Sequence, residues 1–103
     1  MALIPAPPFH PDMKKALLEG RKSCASRNKR LGEIGDCFVI DKVVFRFVDI
    51  RPEKFGTIAY RFYRCEGFAT ASEFMSFWMR LHRGALPLPD SLKWLHILER
   101  VTP

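Results

Sequence analysis

Two adjoining runs, Cys37-Phe38-Val39-Ile40 and Val43-Val44-Phe45-Arg46-Phe47-Val48, are separated only by Asp41-Lys42. Runs so rich in β-branched and aromatic residues favour extended backbone, and a two-residue polar link is the usual hairpin connection. An antiparallel pair is therefore written into the middle of the chain, and the remaining residues must cover its apolar face. The chain has 103 residues, 48% of them hydrophobic. A chain of this size buries only about 60–70% of the surface its unfolded form exposes. One core must serve, so the expectation is a single domain over residues 1–103, with any site shallow and at the core's edge.

The flanking segments supply helices. Residues 1–9, with Pro5, Pro7 and Pro8, predict an extended, partly polyproline-like arm able to pair with a sheet edge. His10-Pro11-Asp12 suits a helix N-terminus and Gly20 a helix stop, giving a helix over about 11–19 with Met13, Ala16 and Leu17 inward. Ser23 to Arg27 reads as a short strand, Asn28 to Gly32 as a loop and Gly35-Asp36 as a turn. From Pro52 the period changes: Phe55, Ile58, Ala59 and Phe62 fall on one helical face. Thr70-Ala71-Ser72-Glu73 is a capping box ahead of the stripe Phe74, Phe77, Trp78 and Leu81, which reads as core, and Gly84 ends that helix. Leu92 to Val101 returns as a closing strand. These elements do not alternate as in a parallel βαβ array. The fold class expected is α+β, a small curved β-barrel of about five strands with flanking helices.

Charge is unevenly placed. Lys14, Lys15, Arg21, Lys22, Arg27, Lys29 and Arg30 are opposed between residues 14 and 30 only by Glu19, so that stretch holds the whole formal excess of +6. Such a concentration attracts polyanions, with RNA or a nucleotide first and an acidic protein partner as a further possibility. No apolar run approaches the roughly 20 residues that span a bilayer, and the opening Met-Ala-Leu-Ile, cut off by Pro5, lacks the basic front of a secretory signal. A soluble, monomeric, cytoplasmic protein is expected, with no membrane partner. Cys24, Cys37 and Cys65 form no C-x-x-C pair, so neither a disulfide framework nor a thiolate zinc site is expected, and Cys24 reads as a small buried hydrophobe. His10, His82 and His96 lack metal-ligand spacing, and no cofactor is implied.

The order of short motifs resembles the ASCH family, small domains with a barrel of the pseudouridine-synthase-and-archaeosine-transglycosylase (PUA) type. The motifs are Gly20-Arg21-Lys22-Ser23, similar to the family's Gly-x-Lys-Ser/Thr; Arg27; Gly35-Asp36; and Glu66-Gly67-Phe68 followed by Glu73-Phe74. The resemblance spans about residues 9–100. It implies a cleft between barrel and helices, lined by the Gly-x-Lys segment and the glutamate and suited to RNA or a nucleotide. Some members are hydrolases that deacetylate N4-acetylcytidine with a lysine, a threonine and a glutamate, and others are reported as ribonucleases. Lys22 and Glu66 match two of those positions. Ala25 stands where the threonine is expected, with Ser23 and Ser26 beside it.

Two functional readings follow. In one, a basic cleft binds RNA or a nucleotide through Arg21, Lys22, Arg27, Lys29 and Arg30, with Tyr63 the favoured base-stacking residue and Tyr60, Phe68 and Trp94 the alternatives. In the other, a hydrolase uses Lys22 as base or base activator, Ser23 or Ser26 in place of the threonine, and Glu66 as proton relay. A plain Lys22 to Glu66 ion pair is equally open at this point. Alternation along a strand puts Lys22 and Arg27 on opposite faces, so their convergence requires Lys22 to sit in the turn or a bulge to intervene.

Overall fold

The computed structural model describes residues 2–101; Met1 of the expected arm, and Thr102 and Pro103 of the expected domain, lie outside the described residues. In chain order the elements are α1 (Pro11–Leu18), β1 (Cys24–Arg27), β2 (Cys37–Ile40), β3 (Val43–Lys54), α2 (Phe55–Arg61), α3 (Ala71–Leu81) and β4 (Leu92–Arg100). The four strands form one antiparallel sheet in the order β1-β4-β3-β2. The fold is α+β, a curled half-barrel flanked by three helices.

The curl has a local cause. Phe47 pairs with Leu98 and Asp49 with Ile97, leaving Val48 as an extra residue on β3. A bulge of this kind bends its strand and raises the local twist. It also shifts the inward register by one, so that Phe45 and Phe47 before it and Ile50 after it are all buried. Phe38, Phe45, Phe47, Ile50 and Leu98 make the main core with Leu17 of α1. A second cluster joins α2 to α3 through Phe55, Ile58, Ala59, Phe74 and Trp78.

The expected fifth strand is absent among the described residues, and the arm occupies the gap. Ala2 and Ile4 bond to Cys37 of β2, one edge strand, in a single parallel bridge centred on Leu3. Farther along, the Pro8 carbonyl accepts from Arg27 of β1, the other edge strand, at 2.8 Å. Three prolines within residues 5–8 remove the N–H donors a paired strand would need, so the arm straps both edges without extending the sheet.

The helix expected from Pro52 starts later. Pro52, Glu53 and Lys54 pair with Trp94, Lys93 and Leu92 as the end of β3. β2 pairs only with residues 43–46, so β3 has a single neighbour at Pro52 and its missing N–H falls at an edge. The helix then opens at Phe55, whose N–H donates to the Ser91 carbonyl, while Gly56 donates to that of Pro89. The capping box at α3 forms, with Thr70 Oγ1 accepting from the Glu73 N–H at 3.1 Å and Glu73 reaching back to the Ala69 N–H.

The expectation of three unpaired cysteines is corrected. Cys24 and Cys65 are joined by a disulfide with their Cα atoms 5.2 Å apart, and Cys37 is the free, buried one. Sequence spacing says nothing about this pair because 41 residues separate them; the fold brings the residue before Glu66 against β1. His96, fully buried on β4, ties the interior together. Its Nδ1 donates to the Ala25 carbonyl at 3.0 Å and its Nε2 accepts from the Leu31 N–H at 3.0 Å, a pattern only the neutral ring satisfies.

Three outcomes are expected. Thiol titration of the denatured protein gives one reactive thiol before reduction and three after. Reduction lowers unfolding free energy by about 3–4 kcal/mol, as expected from the entropy of a loop this long, measured by urea titration with and without reductant. Burial, reinforced by Arg27 and Arg30, holds His96 below the ordinary imidazole value of 6.5 despite its hydrogen bonding to the backbone of Ala25 and Trp94. The unfolded chain therefore takes up the proton first as pH falls. Stability is full above about pH 6.5 and declines as acid carries the protein below that value toward the folded pKa. Melting curves from pH 8 to 5 should show this loss, and a His96→Gln variant should flatten it.

Candidate functional site

The chain leaves α1 at the left-handed Gly20, and the Arg21 and Lys22 N–H groups both donate to the Ala16 carbonyl. This turn aims the Lys22 side chain inward, ahead of the strand, which satisfies the condition on its convergence with Arg27. On the facing segment the Cys65 carbonyl accepts from the Ser23 and Cys24 N–H groups at 2.7 and 3.0 Å. Together with the disulfide, these bonds clamp Cys65-Glu66 along the free edge of β1. Gly67 has φ of +107°, and a Cβ there would stand 3.3 Å from Lys22 Cβ and 3.4 Å from Ala16 Cβ. The glycine of Glu-Gly-Phe thus meets two demands, a left-handed backbone and close passage over the lysine stem.

Glu66 is the centre of the resulting cluster. Lys22 Nζ donates to Glu66 Oε1 and to the Glu66 carbonyl, both at 3.0 Å, and Ser26 Oγ donates to Glu66 Oε2 at 2.5 Å. Lys22, Ser26 and Glu66 are exposed by only 6%, 6% and 4%, so the pair is almost fully desolvated. Removing one member of such a pair costs about 3–5 kcal/mol, whereas replacing both by apolar groups of similar shape is often neutral.

These three side chains line a cavity of about 490 Å³. Its far wall is aromatic and apolar: Phe68, then Phe74, Phe77, Trp78, Leu81 and His82 from α3. His82 stacks on Trp78 with centroids 4.6 Å apart and planes at 16°. The arm supplies Pro8, Phe9 and His10, and β1 supplies Ala25, Ser26 and Arg27 with Asn28 beyond. Consecutive strand residues point to opposite faces. Three of them line one cavity because it wraps the unpaired edge of β1.

Arg27 sits half-buried in this wall. Its Nη2 donates to the Pro8 carbonyl at 2.8 Å and its guanidinium lies 4.9 Å above the Phe9 ring centre. Burial lowers its pKa below the ordinary arginine value, partly offset by the charge of Glu66.

The structure gathers Lys22, Ser26, Arg27 and Glu66 and leaves the other sequence candidates elsewhere. Arg21 is exposed, pairs with Glu19 at 2.7 Å and faces a separate shallow groove with Lys15 and Arg80. Arg30 pairs with Glu33 at 2.9 Å and lies over Trp94, while Lys29 and Ser23 are exposed outside the cavity. Tyr63 packs on the α2–α3 cluster with Arg64 over its ring. α2 ends at Arg61, two residues before it. Tyr60 and Trp94 also lie off the cavity, and Phe68 alone of the proposed stacking residues is on it. The cleft is therefore aromatic and mixed in charge. Sequence reading assigned the α3 stripe to core packing and missed that its last turn, Trp78 to His82, continues into the cavity wall. Among the described residues no three His, Cys, Asp or Glu side chains gather as a metal set, and no helix is long and apolar enough to cross a membrane.

No protein-family model matches the sequence, and no curated protein matches it. Solved structures do match the fold. An ASCH domain from Lactobacillus crispatus superposes with a TM-score of 0.67 over 97% of this chain and 79% of its own, at 13% identity. Protein EF3133 from Enterococcus faecalis, a DUF984 protein, superposes with a TM-score of 0.59 over 87% of this chain and 67% of its own, at 15% identity. With the curled sheet, the flanking helices and the cavity between them, these matches make the chain a small domain of ASCH-like fold.

Proposed function

We propose that the cavity binds one nucleotide unit, free or at an accessible position in RNA. The observation that carries this reading is the buried Lys22–Glu66–Ser26 cluster opening onto an aromatic wall. A heterocyclic base has an apolar face and a polar edge, and this cavity offers a partner for each. The aromatic side chains of α3 and Phe68 supply contact area for the face. For the edge, the cluster keeps unused capacity: a third ammonium proton on Lys22, lone pairs on Glu66 and lone pairs on the Ser26 hydroxyl. The volume suits a single small ligand. The ASCH-like fold adds to this reading, since the family resemblance implies RNA or nucleotide ligands.

A hydrolase is the second reading, and one contact favours it. The Ser26 hydroxyl, not that of exposed Ser23, lies on Glu66, and on this reading it does the work of the family's threonine. Glu66 would take a proton from a water that attacks the acyl carbon of an N4-acylated nucleoside and pass it to the departing N4 amine as the C–N bond breaks, with the Ser26 hydroxyl orienting the carboxylate. Lys22 would hold the carboxylate in position, and the products would be the nucleoside and a carboxylate.

Titration of the protein with short single-stranded RNA and with nucleoside monophosphates should quench the emission of Trp78, isolated in a Trp94→Phe background, with affinity that falls as salt rises. The shape-preserving double variant Lys22→Met/Glu66→Gln should keep the melting temperature and weaken binding about tenfold or more. Absence of binding at low salt by the native protein would refute the reading. For the second reading the assay is release of acetate from N4-acetylcytidine. If the chain is a hydrolase, Glu66→Gln slows release by at least about 100-fold and Ser26→Ala slows it as well; if native and Glu66→Gln proteins release acetate equally, Glu66 is not in the mechanism.

A further inference from the structure

We infer that Arg27 is a phosphoryl-binding subsite of the cavity, so that the ligand is a phosphorylated nucleotide unit and not an uncharged nucleoside. This rests on the nucleotide-binding reading and sharpens it. Of the two cations lining the cavity, Lys22 is already neutralised by Glu66. Arg27 is not. Arg21, Arg30, Arg46 and Arg51 each hold a carboxylate, Glu19, Glu33, Glu99 and Asp49 respectively. Arg27 is half-buried, yet its hydrogen bond goes to a neutral carbonyl and its flat face to an aromatic ring. Lys22 and Arg27 against Glu66 leave the cavity with one uncompensated positive charge.

The guanidinium is also pre-oriented. Pro8 occupies Nη2 and Phe9 fixes the plane from below, which leaves Nε–H and Nη1–H without a protein partner among the described residues. Nη2 keeps its second proton, which shares an edge with either Nε–H or Nη1–H, so one two-donor fork stays open, and such a fork matches two oxygens of one phosphoryl group better than a point-like ammonium would. A ligand anion there would supply the counter-charge that the fold withholds from a partly desolvated cation. Burial already depresses the arginine's pKa, which agrees with a charge lacking a carboxylate partner. Phe9 lines the cavity as well and positions the Arg27 guanidinium above its ring.

The phosphoryl group could belong to a free mononucleotide or to an RNA backbone, and the test separates them. Affinities of the native protein are measured by calorimetry for cytidine, cytidine monophosphate and the dinucleotide CpA, and for the corresponding adenosine pair. The same set is run with Arg27→Gln and Arg27→Lys, whose folds are checked by melting temperature. The inference expects the monophosphate to bind about tenfold or more tighter than its nucleoside. It expects Arg27→Gln to abolish that difference, and Arg27→Lys to restore it only in part. Phe9→Ala should weaken the monophosphate more than the nucleoside. A dinucleotide that binds as well as the monophosphate identifies an RNA backbone as an acceptable source; a dinucleotide that binds no better than the nucleoside restricts the site to terminal phosphate. Equal affinity of nucleoside and monophosphate for the native protein overturns the phosphoryl subsite alone. Failure of every compound to bind overturns the nucleotide-binding reading with it.

Discussion

The Glu66 carboxylate, held between Lys22 and Ser26 along the free edge of β1, is the contact on which the rest of the site depends. It joins the turn after the first helix to the segment between the second and third helices, residues 44 apart in sequence. The backbone around it is over-determined. The Cys65 carbonyl takes two N–H groups from the β1 side, and the Cys24–Cys65 bond closes the same gap covalently. Gly67 then carries the chain over the lysine stem toward α3. Because α3 follows directly, the clamp that seats Glu66 also fixes where the aromatic wall begins.

The shortness of the chain explains why the cavity lies where it does. Four strands curled by a bulge at Val48 do not close a barrel. One edge strand is met by the arm at Ala2–Ile4, and the other is met by the arm at Pro8 and by the Cys65-Glu66 segment. The space between these coverings and α3 remains open. An edge strand left in this condition would ordinarily invite pairing with another chain. Here it is short and backed by a disulfide, and its side chains on both faces turn into one hollow.

Locally encoded features were legible in the sequence. The hairpin around Asp41-Lys42, the capping box at Thr70 and the buried face of α1 each follow from neighbours within a few residues. Lys22, Arg27 and Glu66 were picked out by motif, and they share the cavity because a turn precedes the strand. What could not be read is what tertiary packing decides. The cysteine pairing joins positions 41 apart. Continuation of β3 through Pro52 depends on β2 being short enough to leave that edge unpaired. The charge run misled for a related reason. Seven basic residues close in sequence lie on a helix, a turn, a strand and a loop, which point them in different directions, and Glu19 and Glu33 absorb two of them.

The buried ion pair is explained more readily by the proposed binding role than by stability. Desolvating a lysine and a glutamate costs several kcal/mol before their attraction is counted, and apolar side chains of similar size usually serve a core at least as well. The rest of this interior follows that logic, with Phe38, Phe47, Ile58 and Leu95 fully buried. His96 is the other fully buried polar side chain of the interior, and both its nitrogens are bonded within the protein. The Lys22–Glu66–Ser26 cluster differs in that it faces a cavity and retains donors and acceptors that no group among the described residues takes up. A polar cluster that only stabilised the fold would be expected to exhaust its hydrogen bonds internally, as His96 does. One that spends burial energy and leaves capacity pointing into a hollow is what the proposed ligand site requires, and Arg27 at the same wall, with no carboxylate partner among the described residues, sets the sign of the charge in that proposal.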